Sequence, residues 1–508
     1  MNIDTQTMDA PALAGVHPQR LFFASCMSLI STAVAFGVVT GFLGQLKAHF
    51  GLDNAQVGWI GGAAIWGFTI SIFILGPLCD ALGMKFLMRF AFVCHAIGVL
   101  VMILATGFTA LFIGALIIAM GNGTVEAACN PLVATLFPND KTKKLNQFHM
   151  WFPGGIVIGG LFSFAVDHMI ADVGHNWQIK IALVLLPTVI YGILFIGQKF
   201  PATERVQSGL SFGQMVAATF GRPLFIILFF CMMITASLEL GPGRWMGEAM
   251  EGAIKAVTGM GEAGILVLVY GSVLMCVLRG LAGPVVHKLS NTGLLTLSAI
   301  LGGSGLYLLT VVHSAGAIIA AATIFYVGVC YFWPTMIGTA AERIPKGGAL
   351  ALAILGGTGM AVVGLITVPL MGAIADHYVK TDLASSQTTT VLTQIATDYR
   401  AMEVTATTED AKRDLHDAAN SADAAVKSSN ADDASAALRT AIKVAPDSPA
   451  GKQAAEIIQP ADEHGTVMSF RWVAASSIVL VLVFGILYMM DLSKGGYRAE
   501  RLTADAAH

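Results

Sequence analysis

Residues 76–85 read Gly76-Pro77-Leu78-Cys79-Asp80-Ala81-Leu82-Gly83-Met84-Lys85 and close an apolar run that begins near residue 54. A related stretch, Gly283-Pro284-Val285-Val286-His287, closes a second apolar run near residue 282. A repeat six apolar runs apart and in the same orientation is what a duplicated six-helix unit leaves behind. Crossing a hydrocarbon core of about 30 Å takes about twenty helical residues. Runs of that length fall near 21–46, 54–77, 86–106, 108–136, 146–170 and 177–199, then near 223–247, 262–282, 293–312, 315–340, 348–376 and 468–490. The expected fold is all-α and integral to a membrane: twelve transmembrane helices in two six-helix pseudo-symmetric halves, with the binding cavity between them.

Composition excludes the main alternatives. Of 508 residues, 55% are hydrophobic and 12% charged, about half the charge of an ordinary soluble chain. The net charge is −3, with no basic block or aromatic-basic interleaving to follow a phosphate backbone. No nucleic-acid partner is expected, and the lipid bilayer is. The 55 glycines suit spanning helices that pack backbone to backbone. Seven cysteines, Cys26, Cys79, Cys94, Cys129, Cys231, Cys276 and Cys330, lie in apolar runs without CxxC spacing, so neither a disulfide framework nor a metal site is expected.

With the N-terminus in the cytoplasm, Arg20, Lys85, Arg89, Lys141, Lys143, Lys144, Lys199, Arg205, Arg222, Arg279, Lys288, Arg343, Lys346, Lys494, Arg498 and Arg501 fall inside. The short outer loops keep Lys47, Lys180, Arg244 and Lys255. That asymmetry sets the orientation in a cytoplasmic (inner) membrane, with both termini cytoplasmic. Asp4 and Asp9 precede the first basic residue, Arg20, so the first apolar run is expected to be an uncleaved span.

The resulting organisation is an N-terminal tail (1–20), an N-terminal bundle (21–199), a cytoplasmic linker (200–222), five helices of a C-terminal bundle (223–378), an extracytoplasmic insert (379–466), the last spanning helix (467–491) and a C-terminal tail (492–508). The insert is rich in Ala, Asp, Ser and Thr. Val391, Leu392, Ile395, Tyr399 and Met402 recur at helical spacing, as do Leu438 and Ile442, with Pro446 and Pro449 as breaks. Short, weakly amphipathic helices are expected there, as a solvated spacer or as a module that holds a protein partner.

The fourth span reads Gly121-Asn122-Gly123-Thr124-Val125-Glu126-Ala127-Ala128-Cys129-Asn130-Pro131. A charged carboxylate at that depth costs about 2.5–3.5 kcal/mol to insert unless it faces a cavity or carries a proton. Glu126 is therefore either a functional acid or a protonated structural one. Asn130, four residues on, shares its face and can orient the acid or a ligand. His149 titrates near neutral pH as a free side chain and is either a proton carrier or structural. Counted from the helix ends, Glu126 lies about 16 Å from Phe137 and His149 about 8 Å from Lys144, so the two are expected a turn or more apart.

The seventh span is interrupted at Gly241-Pro242-Gly243, a break that suits a cavity lining. Glu239 and Arg244, five residues apart, can pair; alternatively Arg244 faces an anionic ligand or the outer interface. Trp151, Trp245 and Trp333 stand near these breaks and acids. An indole face against a sugar's CH face, with carboxylates and amides on the hydroxyls, is a common carbohydrate site; interface anchoring and bundle packing are the alternatives.

Gly76-x-x-x-Asp80-x-x-Gly83-x-Lys85 resembles the signature of the major facilitator superfamily. There the cluster latches the cytoplasmic side in the outward-facing state, which implies a cytoplasmic gate of Gly76, Asp80, Gly83, Lys85 and Arg89. Asp80 is expected to bond a helix N-terminus and Lys85 or Arg89. The second copy, with His287 and Ser290, implies an asymmetric latch. The Glu126-to-Pro131 run is similar to the fourth helix of the fucose:proton symporter family. Leu145-Asn146, Glu239-Leu240-Gly241, Phe332-Trp333-Pro334-Thr335 and Pro369–Asp376 extend that likeness across both halves but not into 379–466.

That resemblance implies a role for Glu126 in substrate binding and proton movement. The family's sugar-contacting Gln and Asn of the fifth helix fall on His149 and Phe152, and its first-helix Asp on Thr40. Thr40 releases no proton near neutral pH. Coupling is then expected through Glu126 with His149, or is absent.

The expected function is secondary active transport of a sugar or sugar-like solute with protons, with no enzymatic activity and no cofactor. Substrate contacts are expected from Glu126, Asn130, Thr40, His149, Trp151, Phe152, Glu239, Arg244 and Trp333. An organic anion carrier, an uncoupled facilitator, or a non-transporting sensor or scaffold built on 379–466 are the alternatives. No Ser-His-Asp spacing or phosphate loop points to an enzyme.

Overall fold

The structure, a computed structural model, describes residues 15–170, 176–243, 245–259, 263–500 and 502. Among the described residues every regular element is a helix. The chain forms two compact units, a larger one covering residues up to Leu308, Val312–Thr367 and the segment from Ala474, and a smaller one covering Leu309–Val311 and Val368–Val473.

In the larger unit the first helices are α1 (Pro18–Gly41), α2 (Leu43–Phe50), α3 (Asn54–Leu82), α4 (Met84–Ile103), α5 (Phe108–Leu136), α6 (Lys141–His149), α7 (Trp151–Met169), α8 (Asn176–Ala182) and α9 (Leu185–Phe195). Asp53 starts α3 with a reciprocal cap: its Oδ1 accepts from Gln56 N at 2.7 Å, and its own N–H donates to Gln56 Oε1 at 3.1 Å. The linker holds α10 (Glu204–Gln207) and α11 (Phe212–Phe220). Next come α12 (Pro223–Gly243), α13 (Met246–Thr258), α14 (Ala263–Gly280), α15 (Ala282–Leu308), α16 (Ala315–Val329), α17 (Phe332–Arg343) and α18 (Gly348–Val362). A π-helical turn over Val363–Thr367 leads to α19 (Val368–Leu383). Helix α13, amphipathic and short, lies where no element was expected from the sequence.

Ten stretches among the described residues are long and apolar enough to cross a membrane, and α14–α15 forms a further one bent by 82°. With that pair taken as one span the number among the described residues is eleven, against the twelve expected. The bend reflects Leu281 between the helices and Ser290 inside α15, at φ 60° and ψ 171°.

Small residues set the spacing. A Cβ at Gly123 would lie 2.2 Å from the Phe68 carbonyl oxygen, so α5 rests on the backbone of α3. At Gly328 it would lie 2.1 Å from Gly302 N, locking α16 to α15 in the same way. Such close approach replaces the hydrophobic drive that lipid cannot supply. Between the two sets of helices, α3 packs on α18, α7 on α14 and α6 on α17.

The smaller unit contains α19, α20 (Ser386–Thr405), α21 (Glu409–Ser428), α22 (Ala431–Val444) and the first part of α23 (Pro449–Ser493). These are longer and better packed than the thin apolar stripe suggested. Ala418, Ala422, Ala437, Ala441, Ala450 and Ala454 are fully buried around Ile395, Tyr399 and Leu438. Alanine forms the core here, and its small side chain does not register as a strong apolar stripe. Tyr399 Oη donates to the Ala441 carbonyl at 2.6 Å, satisfying its hydroxyl inside that core.

Gly123→Val should push α5 off α3. The expected cost is about 1–3 kcal/mol, read as a lower melting temperature of the purified protein in detergent.

Candidate functional site

The run from Gly121 to Leu136 is buried along its whole length in α5. Glu126 is 3% exposed and Asn130, one turn on, 1%. Asn130 Nδ2 donates to Glu126 Oε2 at 2.7 Å, and Asn130 Oδ1 faces His149 Nε2 at 3.0 Å. With the amide nitrogen committed to the acid, its oxygen accepts, so His149 carries hydrogen on Nε2. The other ring nitrogen, Nδ1, lies 3.8 Å from Glu126 Oε1. A proton on either partner thus faces the other across a short gap. The Trp333 side chain, from α17, stands next to Glu126.

This proximity corrects the expected separation. Helix α6 begins at Lys141 rather than near Lys144, and α5 ends at Leu136. His149 then lies about 12 Å into its helix and Glu126 about 15 Å into its own, a difference that two side chains span.

A second correction concerns Arg279, counted from the sequence among the cytoplasmic charges. It is 2% exposed in the last turn of α14. Its Nη2 donates to Glu239 Oε1 at 2.7 Å, its Nε to the Cys330 carbonyl at 2.5 Å and its Nη1 to the His149 carbonyl at 3.1 Å. Both carbonyls are orphans of the covalent sequence. The helical donor to His149 would be residue 153 and to Cys330 residue 334, and both are proline. One guanidinium replaces the two missing N–H groups and holds the buried carboxylate as well. The pairing of Glu239 with Arg244 expected from sequence involves a residue outside those described; the partner that Glu239 has among the described residues is Arg279. Among the described residues Glu239 Oε2 is buried without a hydrogen-bond partner.

The remaining candidates divide. Trp333 is 8% exposed, with its ring edge 2.8 Å from where a Cβ on Gly359 would stand. Trp151 opens α7 and packs on the core of the first helices. Phe152 sets its ring 6.1 Å from that of Phe36 on α1. Thr40 belongs to α1, but its side chain lies outside the described residues. Lys180, expected in an outer loop, is instead buried, with Nζ 2.5 Å from Asp167 Oδ1 and 3.0 Å from Gln45 Oε1.

At the end of the bundle that carries the signature loop, Gly76 lets α3 meet α18, since a Cβ there would lie 2.0 Å from that of Ala353. Gly83 turns the chain at φ 81°. The expected bond to Asp80 from Lys85 or Arg89 is not formed. Asp80 Oδ2 accepts from Arg205 Nε at 2.5 Å and Asp80 Oδ1 from Thr203 Oγ1 at 2.5 Å. Lys85 instead donates to the Gln198 carbonyl at 2.9 Å, and Arg89 is exposed. A second layer was not foreseen. Lys141 Nζ meets Glu204 Oε2 at 2.6 Å and the Ala341 carbonyl at 3.1 Å, and Glu342 Oε1 accepts from Thr142 N at 3.0 Å and Thr142 Oγ1 at 2.7 Å. The Ala341 and Glu342 bonds tie α6 to α17.

The sequence profile of the Major Facilitator Superfamily matches residues 21–368. The chain belongs to this superfamily. Its members are transporters rather than enzymes. The glucose transporter GlcP of Staphylococcus epidermidis is 26% identical over 161 residues, which are 32% of this chain and 35% of that protein. The chain therefore spans about a third of the length of the curated relatives it matches. Among solved structures, the E. coli fucose:proton symporter FucP superposes with a TM-score of 0.58 at 18% identity, covering 70% of this chain and 92% of that one. A bacterial homologue of the human lysosomal transporter Spinster, inward-facing and unoccupied, gives 0.61 at 12% identity over 97% and 100% of the chains. These likenesses show the fold.

Arg279→Met should cost about 3–5 kcal/mol by leaving Glu239 buried without its counter-ion. Adding Glu239→Met should recover only part of that loss, because the His149 and Cys330 carbonyls stay orphaned; melting temperatures of the single and double variants measure the difference.

Proposed function

We propose that this chain is a secondary active transporter that moves a sugar or sugar-like solute across the cytoplasmic membrane by alternating access, coupled to protons. The observation that carries this reading is the buried Glu126–Asn130–His149 chain, with Arg279 bridging from His149 to Glu239. Ionisable groups at this depth are expensive, and their usual use is in substrate and proton pathways. Here they sit with amide, imidazole and indole groups, the set that holds hydroxyls and a pyranose face. The names of the glucose and fucose:proton relatives support a sugar and a proton, and Glu126 with His149 is the pair that moves the proton.

In this reading the signature-loop end is cytoplasmic, both termini are inside, and residues 379–466 form an extracytoplasmic insert. The gate at Gly76, Asp80, Gly83 and Lys85, with Arg205 in the linker and the Lys141 and Glu342 layer, closes the cytoplasmic side. Opening to the cytoplasm breaks those bonds and rocks one six-helix half against the other.

Purified protein in liposomes should take up labelled monosaccharide above the external concentration when the outside is acidified. Glu126→Gln should stop at equal concentrations on both sides while still exchanging label. Full gradient-driven accumulation by that variant would remove Glu126 from coupling. Competition by excess carboxylate but not by monosaccharide would favour an organic anion, the reading that the buried Arg279 invites.

Asp80→Asn should weaken the closed end by about 1.5–3 kcal/mol, the worth of a hydrogen bond to a charged group, and so raise the inward-open population about tenfold or more. Labelling of Ala134→Cys, beside the gate, by a membrane-impermeant maleimide from the cytoplasmic face reads that shift as a faster rate.

A further inference from the structure

Arg279 bonds one carboxylate in this structure, and also bonds the main chain of His149, the residue whose ring faces a second, Glu126. Glu126, His149, Glu239 and Arg279 are all under a tenth exposed. Among the described residues, the titratable groups around Arg279 are Glu239 from α12, His149 from α6 with Glu126 from α5 facing its ring, Cys276 from its own helix, and Cys330 and Tyr331 between α16 and α17. The thiols and the phenol are neutral, so the charge balance lies among one guanidinium, two carboxylates and one imidazole. Two ionised carboxylates against one guanidinium leave a net negative charge in a water-poor interior, which is costly. One proton on the cluster restores neutrality.

With Arg279 on Glu239, that proton belongs to the Glu126–His149 pair, whose Oε1 and Nδ1 stand 3.8 Å apart. The guanidinium is one residue's width away: its Nη1 bonds the main-chain oxygen of the same His149 whose ring faces Glu126. Among the described residues its three bonds leave an N–H uncommitted on each Nη, donors that a second carboxylate can use.

We propose that Arg279 is a shared counter-ion, held by Glu239 in this structure and transferable to Glu126 when the Glu126–His149 pair gives up its proton. Glu239 and Arg279 belong to the second half of the fold and Glu126 to the first. The transfer therefore converts an ion pair within one half into an ion pair between halves. Its consequence for transport, a proton-dependent clamp, rests on the proton-coupled reading above. The transfer itself is tested without any substrate.

Apparent melting temperatures of the full-length purified protein in detergent, at pH 8 and pH 5, are compared for wild type, Glu239→Gln, Glu126→Gln and the double variant. At pH 8 each single variant should lose little, because the other carboxylate takes the guanidinium. The double variant should lose at least about 5 °C more than the sum of the singles, or fail to fold while both singles fold. At pH 5, with Glu126 protonated, Glu239→Gln alone should show the large loss and the second substitution should add little. Additive losses at pH 8, or a Glu239→Gln variant that does not fold at pH 8, would overturn the proposal. Absence of gradient-driven uptake by wild type would instead count against the proton-coupled reading and leave the melting comparison standing.

Discussion

A backbone carbonyl without a donor has no water to turn to inside a bilayer, and this constraint organises the centre of the molecule. Pro153 and Pro334 each remove an N–H from a spanning helix, freeing the carbonyls of His149 and Cys330. Arg279 answers both, and can be buried because those two oxygens and Glu239 share its charge. The three partners come from α6, α12 and the break between α16 and α17. One side chain therefore fixes how four segments approach, and it does so beside the acid and imidazole of the other half.

The rest of the bundle is arranged so that this cluster is enclosed. Glycines at the α3–α5 and α15–α16 crossings bring backbones close enough for the polar residues of α5 to be buried over their full length. At the signature-loop end, charge is used differently. Asp80, Lys141 and Glu342 make bonds that join separate segments, the signature loop to the linker and α6 to both the linker and α17. Bonds of that kind suit a gate, whereas the buried cluster at the centre suits a site. The smaller unit follows a third principle, alanine faces packed closely enough to exclude water without large side chains.

Membership of the major facilitator superfamily rests on a match across most of the chain, while identity to individual relatives is low and partial. The family supplies the two-halved architecture. The chemistry at its centre is this chain's own: Glu126, Asn130 and His149 form one buried chain, and Arg279 enters from a helix end.

Hydropathy, the duplicated Gly-Pro motif and the signature loop determined the class, the span positions and the two halves, because these depend on local composition and on the length of helix a membrane demands. Glu126 and Asn130 were also legible, since an acid inside an apolar run is costly wherever it ends up. The partner of each charge was not. Asp80 with Arg205, and Glu239 with Arg279, join residues 125 and 40 positions apart, and no periodicity carries that information. Arg279 looked cytoplasmic because it sits at the end of an apolar run; only the tertiary structure turns that end inward, onto two carbonyls that proline had already left unpaired.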